Sequence, residues 1–93
     1  MFAVRDWRKA RYESPNMADN INIGQEIHQE LQRQGRTIAW LSRQLGTSRM
    51  ACYRIFDCYS IDTQLLRRIS LLLEHDFFKL YSESLIEELG KEP

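Results

Sequence analysis

The stretch LSRQLGTSRMACYRIF, residues 41–56, places apolar residues at helical spacing on both sides of one glycine, and its only charges are arginines. Ile38, Leu41 and Leu45 recur at three and four, the inner face of a short helix opened by Thr37, a good N-cap. Gly46 ends that helix early. A second helix starts at once, capped by Thr47 or Ser48, and continues to about Asp57. Two short helices joined by a brief glycine-containing turn predict a helix-turn-helix.

Working outward, the flanks also read as helical. Asn22 caps a preceding helix, with Gln25 as its capping-box partner; Ile23, Ile27 and Leu31 form one stripe, and Gly35 stops it. Downstream, Asp62 caps a fourth helix, and Ile61 with Leu66 is spaced as a hydrophobic staple. Leu65, Leu66, Ile69, Leu72 and Leu73 give that helix a broad face to bury. Asp76 caps a fifth helix, with Phe77, Leu80, Tyr81, Leu85 and Leu89 on its apolar side and Glu83, Glu87 and Glu88 on its wet side. No strand-like alternation is sustained, so the fold class is all-α, five helices in one small domain of a 93-residue chain. Residues 1–20 read as a flexible N-terminal arm, 21–89 as the domain and 90–93 as a C-terminal tail. Pro15 and Asn16 break any periodicity in the arm, and Met17 is an alternative start that would make residues 1–16 an upstream extension.

Charge is distributed unevenly under a net charge of zero. Residues 31–56 hold Arg33, Arg36, Arg43, Arg49 and Arg54 and no acid, whereas the eight acids of 57–93 outnumber its four bases. On a wheel of about 100° per residue, Arg49, Met50, Tyr53, Arg54 and Asp57 share one arc of the third helix, and Ser48, Ala51, Cys52, Ile55 and Phe56 fall opposite. The first set projects outward. Arginine can bond a guanine edge bidentately, and methionine or tyrosine can touch a thymine methyl. An arginine on a helix face is ordinarily only solvated. The glycine-broken helix pair and the missing acids are what raise these residues to a candidate DNA-reading surface.

The stretch Ile38 to Asp57 resembles the helix-turn-helix unit of the lambda-repressor-like family, often called the XRE family. Its pattern of a leucine, a small residue, a second leucine, glycine and a capped recognition helix is matched by Leu41, Ser42, Leu45, Gly46 and Thr47–Ser48. The likeness extends over about residues 21–82 as a five-helix bundle, and is nearest in kind to small phage-type repressors and short regulators of bacterial mobile elements. The motif is moderately specific, because the glycine and the apolar positions recur in many helix-turn-helix proteins. The resemblance implies that Ser48, Arg49 and Met50 begin the recognition helix, that Arg54 contacts bases one turn on, and that Tyr53 sits between them. It implies that Thr37 meets a phosphate and that Arg36 and Arg43 reach the sugar-phosphate backbone, with the loop Cys58 to Ser60 also touching phosphate. There are departures. Ser42 replaces the usual alanine, Cys52 a branched aliphatic, and Asp57 a neutral or basic residue, and the loop after the recognition helix lacks its usual lysine or arginine.

Other chemistry is poorly represented. His28 and His75 lack partners at ligand spacing and read as surface or cap-adjacent residues; no nucleophile grouping or phosphate loop is present, so no enzyme activity, cofactor or small-molecule substrate is expected. Cys52 and Cys58 match no zinc pattern, which fits a reducing cytoplasmic compartment. No apolar run approaches a membrane span. Trp40 lies off the inner stripe of its helix, a contact residue or one packed on the arm or the fifth helix. The fifth helix carries more apolar residues than one small core covers, which suggests a homodimer through it. The reading is a sequence-specific, double-stranded DNA-binding transcriptional regulator, a repressor. Its rival is a protein-interaction module, or an antitoxin-like partner-binding protein, that keeps the bundle with little DNA binding.

Overall fold

The computed structural model describes residues 21–90; the arm expected over 1–20 and the end of the expected tail, 91–93, lie outside the described residues. Five helices follow one another: α1 (Ile23–Arg33), α2 (Ile38–Leu45), α3 (Arg49–Phe56), α4 (Thr63–Leu73) and α5 (Phe78–Gly90), with no strand among the described residues. The starts are fixed by side chains that satisfy amides left without a partner in the first turn. Asn22 Oδ1 accepts from the Gln25 amide at 3.2 Å, Thr37 Oγ1 from Trp40 at 2.9 Å and Asp62 Oδ1 from Leu65 at 2.8 Å. Between Thr47 and Ser48 the cap is Ser48, whose Oγ accepts from the Ala51 amide at 3.1 Å. Asp76 Oδ1 accepts from the Phe78 amide at 3.0 Å, so α5 starts at Phe78 and Phe77 lies in the turn before it.

The core is a single cluster of Ile23, Ile27, Leu31, Leu41, Leu45, Cys52, Phe56, Leu66, Ile69, Leu73 and Phe77. On α4 only Leu66, Ile69 and Leu73 are fully buried. Leu65 and Leu72, expected on the same buried face, are half-buried at its rim, because the core meets α4 along a narrower stripe than its leucine count suggests. The first turns of α5 rest on this cluster through Phe78, Leu80 and Tyr81. Beyond them α5 runs clear of it: Leu85, Ile86 and Leu89 are 59%, 69% and 68% exposed, and no residue of α5 is fully buried. The described residues are correspondingly drawn out, 46 × 21 × 21 Å.

Two junctions hold the helices in place. At the first, the Ile23 amide donates to the Tyr59 carbonyl at 3.1 Å and the Gly24 amide to the Cys58 carbonyl at 2.9 Å. The start of α1 is thereby tied to the loop that leaves α3. Gly24 is required there, since a Cβ would overlap the carbonyls of Ile55 and Phe56. At the second, the buried Glu30 carboxylate accepts from Arg33 and from Gln34 Nε2 (2.8 Å), with His75 Nδ1 at 3.7 Å. Gln34 Nε2 also donates to the Leu73 carbonyl at 2.8 Å, which links the end of α1 to the end of α4. The bonds from Arg33 hold the Glu30 carboxyl at about 2, below its ordinary 4.5, against the opposing effect of burial; Gln34 and His75 add to the lowering. The same pairing raises Arg33.

Candidate nucleic-acid interface

Leu41 and Leu45 bury the inner face of α2, and Cys52 and Phe56 that of α3. Ser42 lies buried where the two helices pack, its Oγ donating to the Ala39 carbonyl at 2.9 Å, so the hydroxyl is satisfied within its own helix. Gly46 closes α2 in the left-handed region, φ 69°, and the Thr47 amide returns to the Ser42 carbonyl at 2.9 Å. A residue with a side chain is disfavoured in that conformation, so the turn angle between α2 and α3 depends on this glycine.

Held this way, α3 presents Arg49, Met50, Tyr53, Arg54 and Asp57 outward; Met50 is 63% and Tyr53 51% exposed. Ala51 and Ile55, opposite, are half-buried. Ser48 belonged to the inner set on the wheel but is exposed, because its side chain turns to cap α3. Arg43, Arg49 and Arg54 form no ion pair among the described residues. Among the described residues, their guanidinium groups are therefore not committed to a carboxylate. Arg33 is committed, to Glu30.

Arg36 and Thr37 stand at the entry to α2. The Arg36 guanidinium lies 4.1 Å from the centroid of the Trp40 ring and its Nε donates to Gln34 Oε1 at 3.2 Å. This cation–π contact gives Trp40, half-buried against the core, a definite role on the surface of α2: it holds Arg36 along the helix. Thr47 and Ser48 are exposed in the turn. The residues singled out in the sequence thus stand at the entry to α2 (Arg36, Thr37), exposed in its last turn (Arg43), in the α2–α3 turn (Thr47, Ser48) and on the outer arc of α3 (Arg49, Met50, Tyr53, Arg54). Asp57 caps the C-terminal end of α3 and is exposed at the edge of that arc.

Both histidines have partners that their sequence neighbours do not reveal. His28 is half-buried, not a plain surface residue: its ring stacks on Phe56 at 4.3 Å between centroids and 8° between planes. His75 packs on Phe77 at 4.6 Å and approaches Glu30. A signal for the first contact existed in Gly24, a glycine inside an apolar helical pattern and one turn before His28, which marks close approach of another backbone. Cys52 is buried, which raises its thiol, and Cys58 Sγ donates to the Arg54 carbonyl at 3.2 Å; both are free thiols. No group of three or more His, Cys, Asp or Glu among the described residues is arranged to hold a metal, and no described helix is long and apolar enough to cross a membrane.

No protein-family model, curated protein or solved structure matches the chain.

Proposed function

We propose that this chain is a cytoplasmic, sequence-specific, double-stranded DNA-binding transcriptional regulator, a repressor, with its helices in the lambda-repressor-like arrangement. α3 enters the major groove and α2 lies across the backbone. Arg49 and Arg54 read base edges, with Met50 and Tyr53 beside them; Arg36, Thr37 and Arg43 meet the phosphates; Thr47 and Ser48 lie at the turn. The observation that carries this reading is the outer arc of α3, where Arg49 and Arg54, without an ion pair among the described residues, flank an exposed methionine and tyrosine. A good bidentate arginine contact contributes about 1–3 kcal/mol of base discrimination. Two copies joined through the exposed Leu85, Ile86 and Leu89 of α5 would address two half-sites about 34 Å apart, one turn of the duplex.

The test is selection of bound sequences from random duplex DNA, with Arg49→Ala in parallel. Enrichment of one motif, relaxed in the variant, supports base readout by α3. A folded wild type that enriches nothing sinks the reading. The exposed apolar length of α5 and the zero net charge favour one second reading, a partner-binding module of the antitoxin type. Salt separates the two. DNA binding loses about 0.9 log units of affinity per neutralised phosphate for each log unit of salt, and apolar partner binding through α5 is far less sensitive.

A further inference from the structure

Phe56 ends α3 and is 3% exposed, so its ring faces inward while its helix faces out. Two rings meet it. His28 of α1 lies parallel to it at 4.3 Å, and Tyr53, one turn earlier on α3, meets it edge-on at 6.2 Å and 88°. Tyr53 is half exposed and belongs to the outer arc. The approach of His28 is set by Gly24, on the same face of α1, where the carbonyls of Ile55 and Phe56 leave no room for a Cβ. The α1 amides bonded to Cys58 and Tyr59 fix that distance again.

We infer that His28 is a positioning residue for the outward ring of Tyr53, acting through Phe56; the inference rests on the proposal that α3 reads DNA. A flat ring stacked on Phe56 fixes the plane of that ring, and the plane determines where the Tyr53 edge can settle. An aliphatic side chain would fill the space without fixing a plane. A tyrosine ring ordered before binding loses less conformational freedom on meeting a base, and it offers the same groups to every duplex. His28 therefore contributes to selectivity at the base pair beside Tyr53, although it lies on α1 and stacks inward.

The experiment uses the full chain and the variants His28→Ala, His28→Leu, His28→Phe and Tyr53→Ala, each checked for folding by thermal unfolding. The first readout is the ring proton resonances of Tyr53 in the DNA-free protein. His28→Ala and His28→Leu are expected to move them toward those of a freely exposed tyrosine, and His28→Phe to leave them in place. The second readout is affinity for single-base variants of the selected duplex. At the base pair whose preference Tyr53→Ala relaxes, His28→Ala and His28→Leu should also relax it, by about five-fold, while preferences elsewhere persist and His28→Phe restores the original profile. If His28→Ala and His28→Leu leave the Tyr53 resonances unmoved, or weaken all duplexes alike, the inference is overturned. If the wild type selects no duplex at all, the DNA reading fails separately, and the resonances alone decide whether His28 sets the ring.

Discussion

Gly24 and Gly46 are both required as glycines, but for different reasons, and substitution separates them. At Gly24 an added methyl meets the carbonyls of Ile55 and Phe56. Gly24→Ala must move α1 away from α3, an overpacking effect of about 1–3 kcal/mol, and on the proposed reading it should weaken DNA binding as well as stability. At Gly46 nothing lies near an added Cβ, and only the left-handed backbone opposes it, at about 1–2 kcal/mol. Urea unfolding of the two alanine variants should show that Gly24→Ala also loses the Ile23 and Gly24 amide bonds, seen as faster hydrogen exchange at those two amides; Gly46→Ala should leave them protected. Glu30 yields a second prediction. Its carboxyl is held at about 2 by Arg33 first, with Gln34 and His75 assisting. A lowered carboxylate stabilises the fold above its ordinary range and stops doing so as it takes up a proton. The margin of wild type over Glu30→Gln should therefore be full above about pH 4.5 and shrink as pH falls toward 2, measured as urea midpoints across that window. In the sequence Glu30 reads as one more polar residue on α1. It meets His75 from the far side of the chain, and Gln34, which bonds it, is itself tied to the Leu73 carbonyl; local periodicity carries no information about such pairing.

At the scale of the element, helix starts were legible because each needs a particular side chain: Asn22, Thr37, Ser48, Asp62 and Asp76 all accept an amide of the first turn. The outer and inner arcs of α3 followed from spacing alone for the same local reason, with only Ser48 diverted to its cap. Helix ends were less legible. α4 closes on Glu74 at φ 52°, a residue with a side chain in a region that favours glycine, and nothing in its sequence announces it. Glu74→Gly should relieve that conformation and raise the free energy of unfolding by about 1 kcal/mol or less, and with it the unfolding midpoint, since the flexible unfolded chain offsets part of the gain. Thermal unfolding with and without the substitution checks this. An unchanged or lower midpoint would mean that the Glu74 side chain contributes more than its backbone costs. The aromatic group of His28, Phe56 and Tyr53 belongs to neither list. It forms because two helices cross, and only the glycine one turn before His28 hinted that they come so close.

For the whole molecule, the distribution of apolar surface decides how it associates. α1 to α4 enclose their core, and α5 carries three large apolar side chains into solvent. Ile86→Glu should leave the bundle folded, because Ile86 is 69% exposed, and, if two copies join through α5 as proposed, should shift the chain from dimer to monomer in sedimentation. Loss of folding instead would place Ile86 in the core of this chain. On the proposed reading, the same variant should bind a single half-site and lose most of its affinity for the paired one.

The amides of Ile23 and Gly24 and the carbonyls of Cys58 and Tyr59 are main-chain atoms. α3 is thus moored by main-chain groups and by inward side chains, while the exposed side chains of Arg49, Met50 and Arg54 make no hydrogen bond or ion pair among the described residues. Their identities are free to drift. On the proposed reading, a lineage built on this scaffold can acquire new targets by exchanging those three side chains without re-solving the folding problem, and a library randomised at them should remain almost wholly folded.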